Sequence, residues 1–111
     1  MENQTAHRCD AAVTLAFSIL GKRWTGMIVD SLGAGEMSFT DVRRAVSGIS
    51  DAVLSDRLAE LTHSGLVERR VNEGPPVSVV YRLTSSGEEL VPLLGQLGQW
   101  AQANLRSVPQ H

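Results

Sequence analysis

A mainly α-helical fold with a small β-hairpin is what this 111-residue sequence predicts, on three observations. Apolar residues recur at three- and four-residue steps in several separate segments, the pattern of helices that bury one face. Two runs rich in β-branched residues, Leu66 to Val71 and Val77 to Leu83, flank the turn-forming string Asn72-Glu73-Gly74-Pro75-Pro76, which reads as a hairpin. After Thr84 the chain ends in a long leucine repeat.

The elements follow in order. Asp10 is placed to cap a first helix from Ala11 to Leu20, on which Val13, Phe17 and Leu20 share a face; Gly21 ends it. A second helix runs from about Arg23 to Leu32, with Trp24, Ile28 and Leu32 on one stripe and Met27 beside it, before Gly33-Ala34-Gly35 stops it. Glu36-Met37-Ser38 reads as a very short strand. The third helix, about Phe39 to Val46, turns Phe39, Val42 and Val46 inward and Arg43 and Arg44 elsewhere; Ser47-Gly48 breaks it. Ser50 caps a fourth helix to about Ser64, with Gly65 just past its end. Leu54, Leu58 and Leu61 form its apolar stripe, and Ala52, Ser55, Asp56, Ala59 and His63 fall on the opposite face. In the final helix Leu90, Leu94, Leu97, Trp100 and Leu105 recur at helical steps. Pro92, which lacks an N–H, is expected to kink or split it.

Length and composition suit one globular domain. Hydrophobic residues are 42% and charged residues 20% of the chain, ordinary values for a soluble protein. The domain is expected over residues 9–106, with 1–8 a flexible N-terminal segment and 107–111 a flexible tail. No apolar run approaches the ~18 residues that span a bilayer. No signal peptide is visible, so the expected compartment is the cytoplasm and no membrane partner is expected. The single cysteine, Cys9, excludes an internal disulfide framework. His7, His63 and His111 have no metal-ligand spacing with Cys9 or with a carboxylate cluster. Neither a metal nor a cofactor is expected. No nucleophile elbow, phosphate-binding glycine loop or catalytic carboxylate pair occurs, so an enzyme has no supporting site.

The formal net charge is −2, with no global basic signal. However, residues 38–83 hold six arginines against six acids. Nucleic-acid binding is compatible with this only if the arginines converge on one face. A short helix, a Ser-Gly turn and a capped helix followed by a hairpin make a winged helix-turn-helix with a long C-terminal helix for dimerisation. The small outer face of the fourth helix would let its backbone sit deep in a major groove about 12 Å wide. The order of elements alone also admits a helical bundle with no nucleic-acid partner.

The sequence resembles the HxlR family of winged-helix regulators, relatives of the MarR group. The resemblance rests on Cys9, Leu20-Gly21-Lys22-Arg23-Trp24, Phe39-Thr40-Asp41-Val42-Arg43-Arg44 and Gly48-Ile49-Ser50. It continues through Leu54 to Leu61, Ser64-Gly65-Leu66-Val67, Pro75-Pro76, Val80 to Thr84, Gly87, Pro92 and Trp100. It implies a DNA-binding transcription regulator, a homodimer on double-stranded operator DNA with inverted-repeat symmetry, and a response to an oxidant, electrophile or small aromatic effector. The other reading of the fold is a winged-helix module that binds a protein partner. Asp51 and Asp56 on the recognition helix, and Glu73 at the wing tip, depart from the basic surface expected against phosphate.

The candidate DNA-binding residues are Arg43, Arg44, Ser50, Asp51, Ala52, Ser55, Asp56, Arg57, Ala59, Arg69 and Arg70. Arg43 and Arg44 suit phosphate, against a solvated pair with Asp41. Ser55 and Asp56 suit base edges, the acid accepting from a cytosine amine. Arg57 lies beside the leucine stripe, where an ion pair competes with a phosphate contact. Arg69 and Arg70 fall on opposite faces of the wing, so only one can meet DNA from the same side. Cys9 is a candidate redox sensor by bridging to a second copy, against an inert buried thiol. The dimer interface is expected from Val13, Phe17, Leu90, Leu94, Leu97, Trp100 and Leu105, a stripe that would otherwise be a large exposed apolar patch.

Overall fold

The computed structural model describes residues 2–106, with side chains from Asp10 onward. The expected tail at 107–111 lies outside the described residues. Five helices and three short strands follow one another as α1 (Glu2–Leu20), α2 (Thr25–Leu32), β1 (Met37–Ser38), α3 (Phe39–Ala45), α4 (Asp51–His63), β2 (Val67–Asn72), β3 (Ser78–Leu83) and α5 (Ser85–Asn104). The fold is the mainly α architecture with a hairpin wing that the sequence predicts.

Two helix starts differ from the expected ones. Asp10 does not cap α1 but lies inside it. Glu2, Gln4, Ala6 and Arg8 are good helix formers, and neither glycine nor proline interrupts the run. Helix α2 begins at Thr25 because Trp24 takes a left-handed conformation, φ 80°, and stands at its N-cap. On α2 the buried stripe is Thr25, Ile28, Val29 and Leu32, while Met27 is half exposed. Ser38 caps α3 by accepting from the Asp41 N–H at 3.1 Å, and Ser50 caps α4 by accepting from the Val53 N–H at 3.2 Å. Pro92 does not split α5, which runs continuously through it. The carbonyl that the proline ring cannot serve belongs to Glu88, an exposed residue open to water.

The core is one cluster. Ile28, Val29 and Leu32 of α2 meet Val42 and Val46 of the α3 segment, Leu54, Leu58 and Leu61 of α4, and Val67 and Leu83 of the ribbon. Burying each such side chain contributes about 1.5–3 kcal/mol. The sheet has the order β1-β3-β2, all antiparallel, with Met37 opposite Tyr81 and Val67 opposite Leu83. Thr84 fastens α5 to the base of the wing: its hydroxyl donates to the Gly65 carbonyl at 2.6 Å and accepts from the Gly87 N–H at 3.2 Å. A side chain at Gly87 would run into the Leu66 carbonyl, so the helix can approach this closely only with glycine there.

The molecule is elongated. Its radius of gyration is 16.2 Å and its extents are 61 × 34 × 23 Å, against about 13 Å for a compact domain of about 100 residues. The reason lies at the ends: α1 is exposed along its whole length from Asp10 to Ser18.

Candidate nucleic-acid interface

The helix-turn-helix is built by α3, the turn at Ser47-Gly48 and α4. Gly48 has φ 99°, the left-handed region in which glycine escapes the strain of a side chain. Because Leu54, Leu58 and Leu61 are buried, the opposite face of α4 is turned to solvent. Asp51, Ala52, Ser55, Asp56, Ala59 and His63 are all exposed there, and Ser50 stands exposed at the capped end. This is the small, polar face the periodicity predicts, and nothing bulky on it keeps the helix backbone from a groove.

Most arginines near this face lie beside an acid. Arg43 donates to Asp51 at 2.8 Å, bracing α3 against the first turn of α4. Arg44 lies 3.4 Å from Asp41. Arg70 lies 3.8 Å from Glu36, and Arg82 donates to Glu68 at 2.8 Å, a bond that raises the guanidinium pKa further above its ordinary value. Arg57 is more enclosed: its Nε donates to the Arg23 carbonyl at 3.1 Å, and its Nη1 lies 3.6 Å from Glu60. Among the described residues Arg69 is the arginine of the middle segment with no acid within 4.0 Å. The near-neutral charge of this segment is thus a set of local pairs. Exposed pairs of this kind are worth only about 0.2–1 kcal/mol, so a phosphate can displace the carboxylate.

The strand register separates the two wing arginines. Val67 is buried against the core that holds the α4 leucines, and Arg69 shares its face of the ribbon by alternation, opposite Tyr81. Arg70 falls on the other face with Glu68 and Arg82. Of the pair, Arg69 is on the α4 side.

The apolar candidates divide. Val13, Phe17, Leu97, Trp100 and Leu105 are exposed, with Phe17 and Trp100 each at 53%. Leu90 and Leu94 are instead half-buried against the molecule's own core. Leu15 and Leu93 are exposed as well and escaped the sequence reading. Leu93, Leu97 and Trp100 are spaced i, i+4, i+7, a signal hidden behind the neighbouring stripe. Between α1 and α5 lies an apolar groove of about 500 Å³, lined by Leu15, Ile19, Leu20, Leu66, Leu90 and Leu93 among others. The side chain of Cys9 lies outside those described. Among the described residues no group of three or more His, Cys, Asp or Glu side chains is placed to hold a metal ion, and no helix is long and apolar enough to cross a membrane.

The chain matches a family described as HxlR-like helix-turn-helix over residues 19–109. It is 42% identical over 86 residues to the uncharacterised HTH-type transcriptional regulator YvaP of Bacillus subtilis (strain 168), covering 78% of this chain and 80% of the relative. To the HTH-type transcriptional regulator YodB of the same organism it is 40% identical over 86 residues, covering 78% and 77%. Among solved structures, the reduced form of YodB superposes with a TM-score of 0.79 at 35% identity over 86% of this chain and 94% of that one. The redox regulator HypR in its oxidised form superposes with a TM-score of 0.78 at 31% identity, over 87% and 99%. These relatives are regulators by name, which favours DNA over the protein-partner reading of the fold.

Proposed function

The chain belongs to the HxlR-like helix-turn-helix family of DNA-binding transcriptional regulators, and from that premise we propose that it acts as a homodimer on an inverted-repeat operator. The observation that carries this reading is the exposed small face of α4, flanked by Arg69 of the wing on one side and Arg43 and Arg44 of α3 on the other. Ser50, Asp51, Ala52, Ser55, Asp56 and Ala59 enter the major groove. Ser55 and Asp56 read base edges, while the arginines hold phosphate. Arg43 reaches phosphate by giving up Asp51, an exchange between two anions at the same guanidinium. The compartment is the cytoplasm, where operator DNA is reached.

The partner is a second copy because α1 and the outer stripe of α5 have no cover in one chain. Val13, Phe17, Leu97, Trp100 and Leu105 would otherwise be an exposed apolar patch on an elongated molecule. Closing that seam twice about a two-fold axis sets two recognition helices in successive major grooves, about 34 Å apart. Gel-shift titration against DNA upstream of the chain's own gene tests the DNA reading, with salt-sensitive retardation expected. Sedimentation equilibrium at micromolar concentration tests the seam, and a monomer mass would sink it.

An oxidant or electrophile is the proposed effector, through Cys9. Support comes from the relatives: YodB has been solved reduced, diamide-treated and quinone-bound, and HypR is named a redox regulator. Cys9 lies on α1, the helix of the seam. Diamide should change DNA affinity, and Cys9→Ser should abolish the change. An unaltered binding curve with the thiol shown to be modified would leave Cys9 without this role.

A further inference from the structure

The elbow between α1 and α2, residues 21–24, grips the helix-turn-helix in three places. Arg57 of α4 donates from Nε to the Arg23 carbonyl at 3.1 Å, with only 20% of its side chain exposed. Lys22 forms an ion pair with Glu60, three residues further along α4. Trp24 holds a left-handed backbone, φ 80°, under the Arg23 guanidinium at 4.7 Å from its ring centroid. The far edge of the same ring comes within 3.4 Å of the Cβ position of Gly48, in the turn between α3 and α4. A bulky residue persists in that region of conformational space only where its surroundings over-determine it. Here the constraint is the contact set just described. The elbow therefore touches both ends of the reading unit: the turn before α4 through Trp24, and the flank of α4 through Lys22 and Arg23.

We propose that this elbow is a latch that sets the orientation of α4 relative to α1, with Arg57 a positioning residue and not a phosphate contact. Glu60 is the acid that holds the latch to α4, and Lys22 its partner from the elbow. The inference rests on the DNA-binding reading of α4 and adds the means by which the seam helix reaches it. Base edges are read over short distances, whereas phosphate contacts carry no sequence information. A helix released from its latch therefore loses preference for the right sequence before it loses affinity for DNA in general.

The test uses a duplex selected from a random pool by the wild-type chain, with a scrambled duplex as competitor, titrated at two salt concentrations. Arg57→Gln, Lys22→Gln and Glu60→Gln are compared, each shown by melting to be folded at the assay temperature. Lys22 and Glu60 are exposed, so their two variants decide the outcome if Arg57→Gln unfolds. Each variant is expected to lose preference for the selected duplex roughly tenfold, or about 1.4 kcal/mol, with the slope of log K against log salt unchanged. Glu60→Gln is the sharpest arm, since removing an acid near DNA should by simple charge tighten binding to every sequence. Tighter binding to both duplexes with preference kept would mean that Lys22 or Arg57 is a phosphate contact, and would overturn the latch. So would a slope lowered by about 1 in Arg57→Gln, or no change in preference in any variant. A wild-type chain that enriches no duplex would overturn the DNA reading itself, and the latch with it.

Discussion

Arg69 and Arg70 are neighbours of identical chemistry, and the structure predicts opposite behaviour for them. Arg69 lies on the α4 face of the wing with no acid within 4.0 Å among the described residues; Arg70 lies on the other face, 3.8 Å from Glu36. Replacing Arg69 by Ala removes one phosphate contact per subunit and two per dimer. At ~0.9 counterions released per contact, the slope of log K against log salt should fall in magnitude by about 1.8. Over a fourfold rise in salt the wild type should then lose roughly twelvefold more affinity than Arg69→Ala. Arg70→Ala should leave the slope unchanged, because the group it loses was engaged by Glu36 on the far face. Fluorescence-anisotropy titrations of both variants at several salt concentrations read the two slopes directly. Equal slopes for the two variants, or a larger change for Arg70→Ala, would refute the assignment of the wing faces.

Asp56→Ala should raise affinity for scrambled DNA, since repulsion from phosphate is relieved. If Asp56 accepts from a cytosine, discrimination at one base pair should fall by ~1–3 kcal/mol in competition titrations. Leu58, 1% exposed at the centre of the core, should cost about 2–5 kcal/mol on truncation to Ala in urea unfolding. Gly87→Ala should lower the melting temperature, because its Cβ meets the Leu66 carbonyl and the α5 N-terminus must lift off the wing. The ion pair with Lys22 holds the Glu60 carboxyl below its ordinary value of 4.5. The stability that this pair contributes is therefore present above pH 4.5 and lost as pH falls through the lower folded-state value. The melting-temperature gap between wild type and Glu60→Gln should be constant from pH 7 to about 4.5 and close below that.

Local patterns carried far in this chain. The Ser50 cap, the α4 leucines three and four residues apart, the Gly48 break and the hairpin around Gly74 all act within a few residues. Each could be read from neighbours alone. The features that needed coordinates are those that depend on what packs where. Strand alternation separates Arg69 from Arg70 but cannot say which face α4 covers. Helix α5 is apolar on two sides, and only packing shows that Leu90 and Leu94 face inward while Leu93, Leu97 and Trp100 face out. The contact from Arg57 to the Arg23 carbonyl spans 34 positions and has no periodic signature. The left-handed Trp24 was also hidden, since an aromatic is among the residues least suited to that conformation. Asp10 misled because an aspartate before an apolar run resembles a cap even when the residues ahead of it are themselves helix formers.

Two α4 helices, one from each copy, read the DNA together. Hydroxyl-radical footprinting of the selected duplex tests this most directly. Two symmetric protected patches are predicted, centred one helical turn apart, about 34 Å along the axis. A single unsymmetric patch would contradict it.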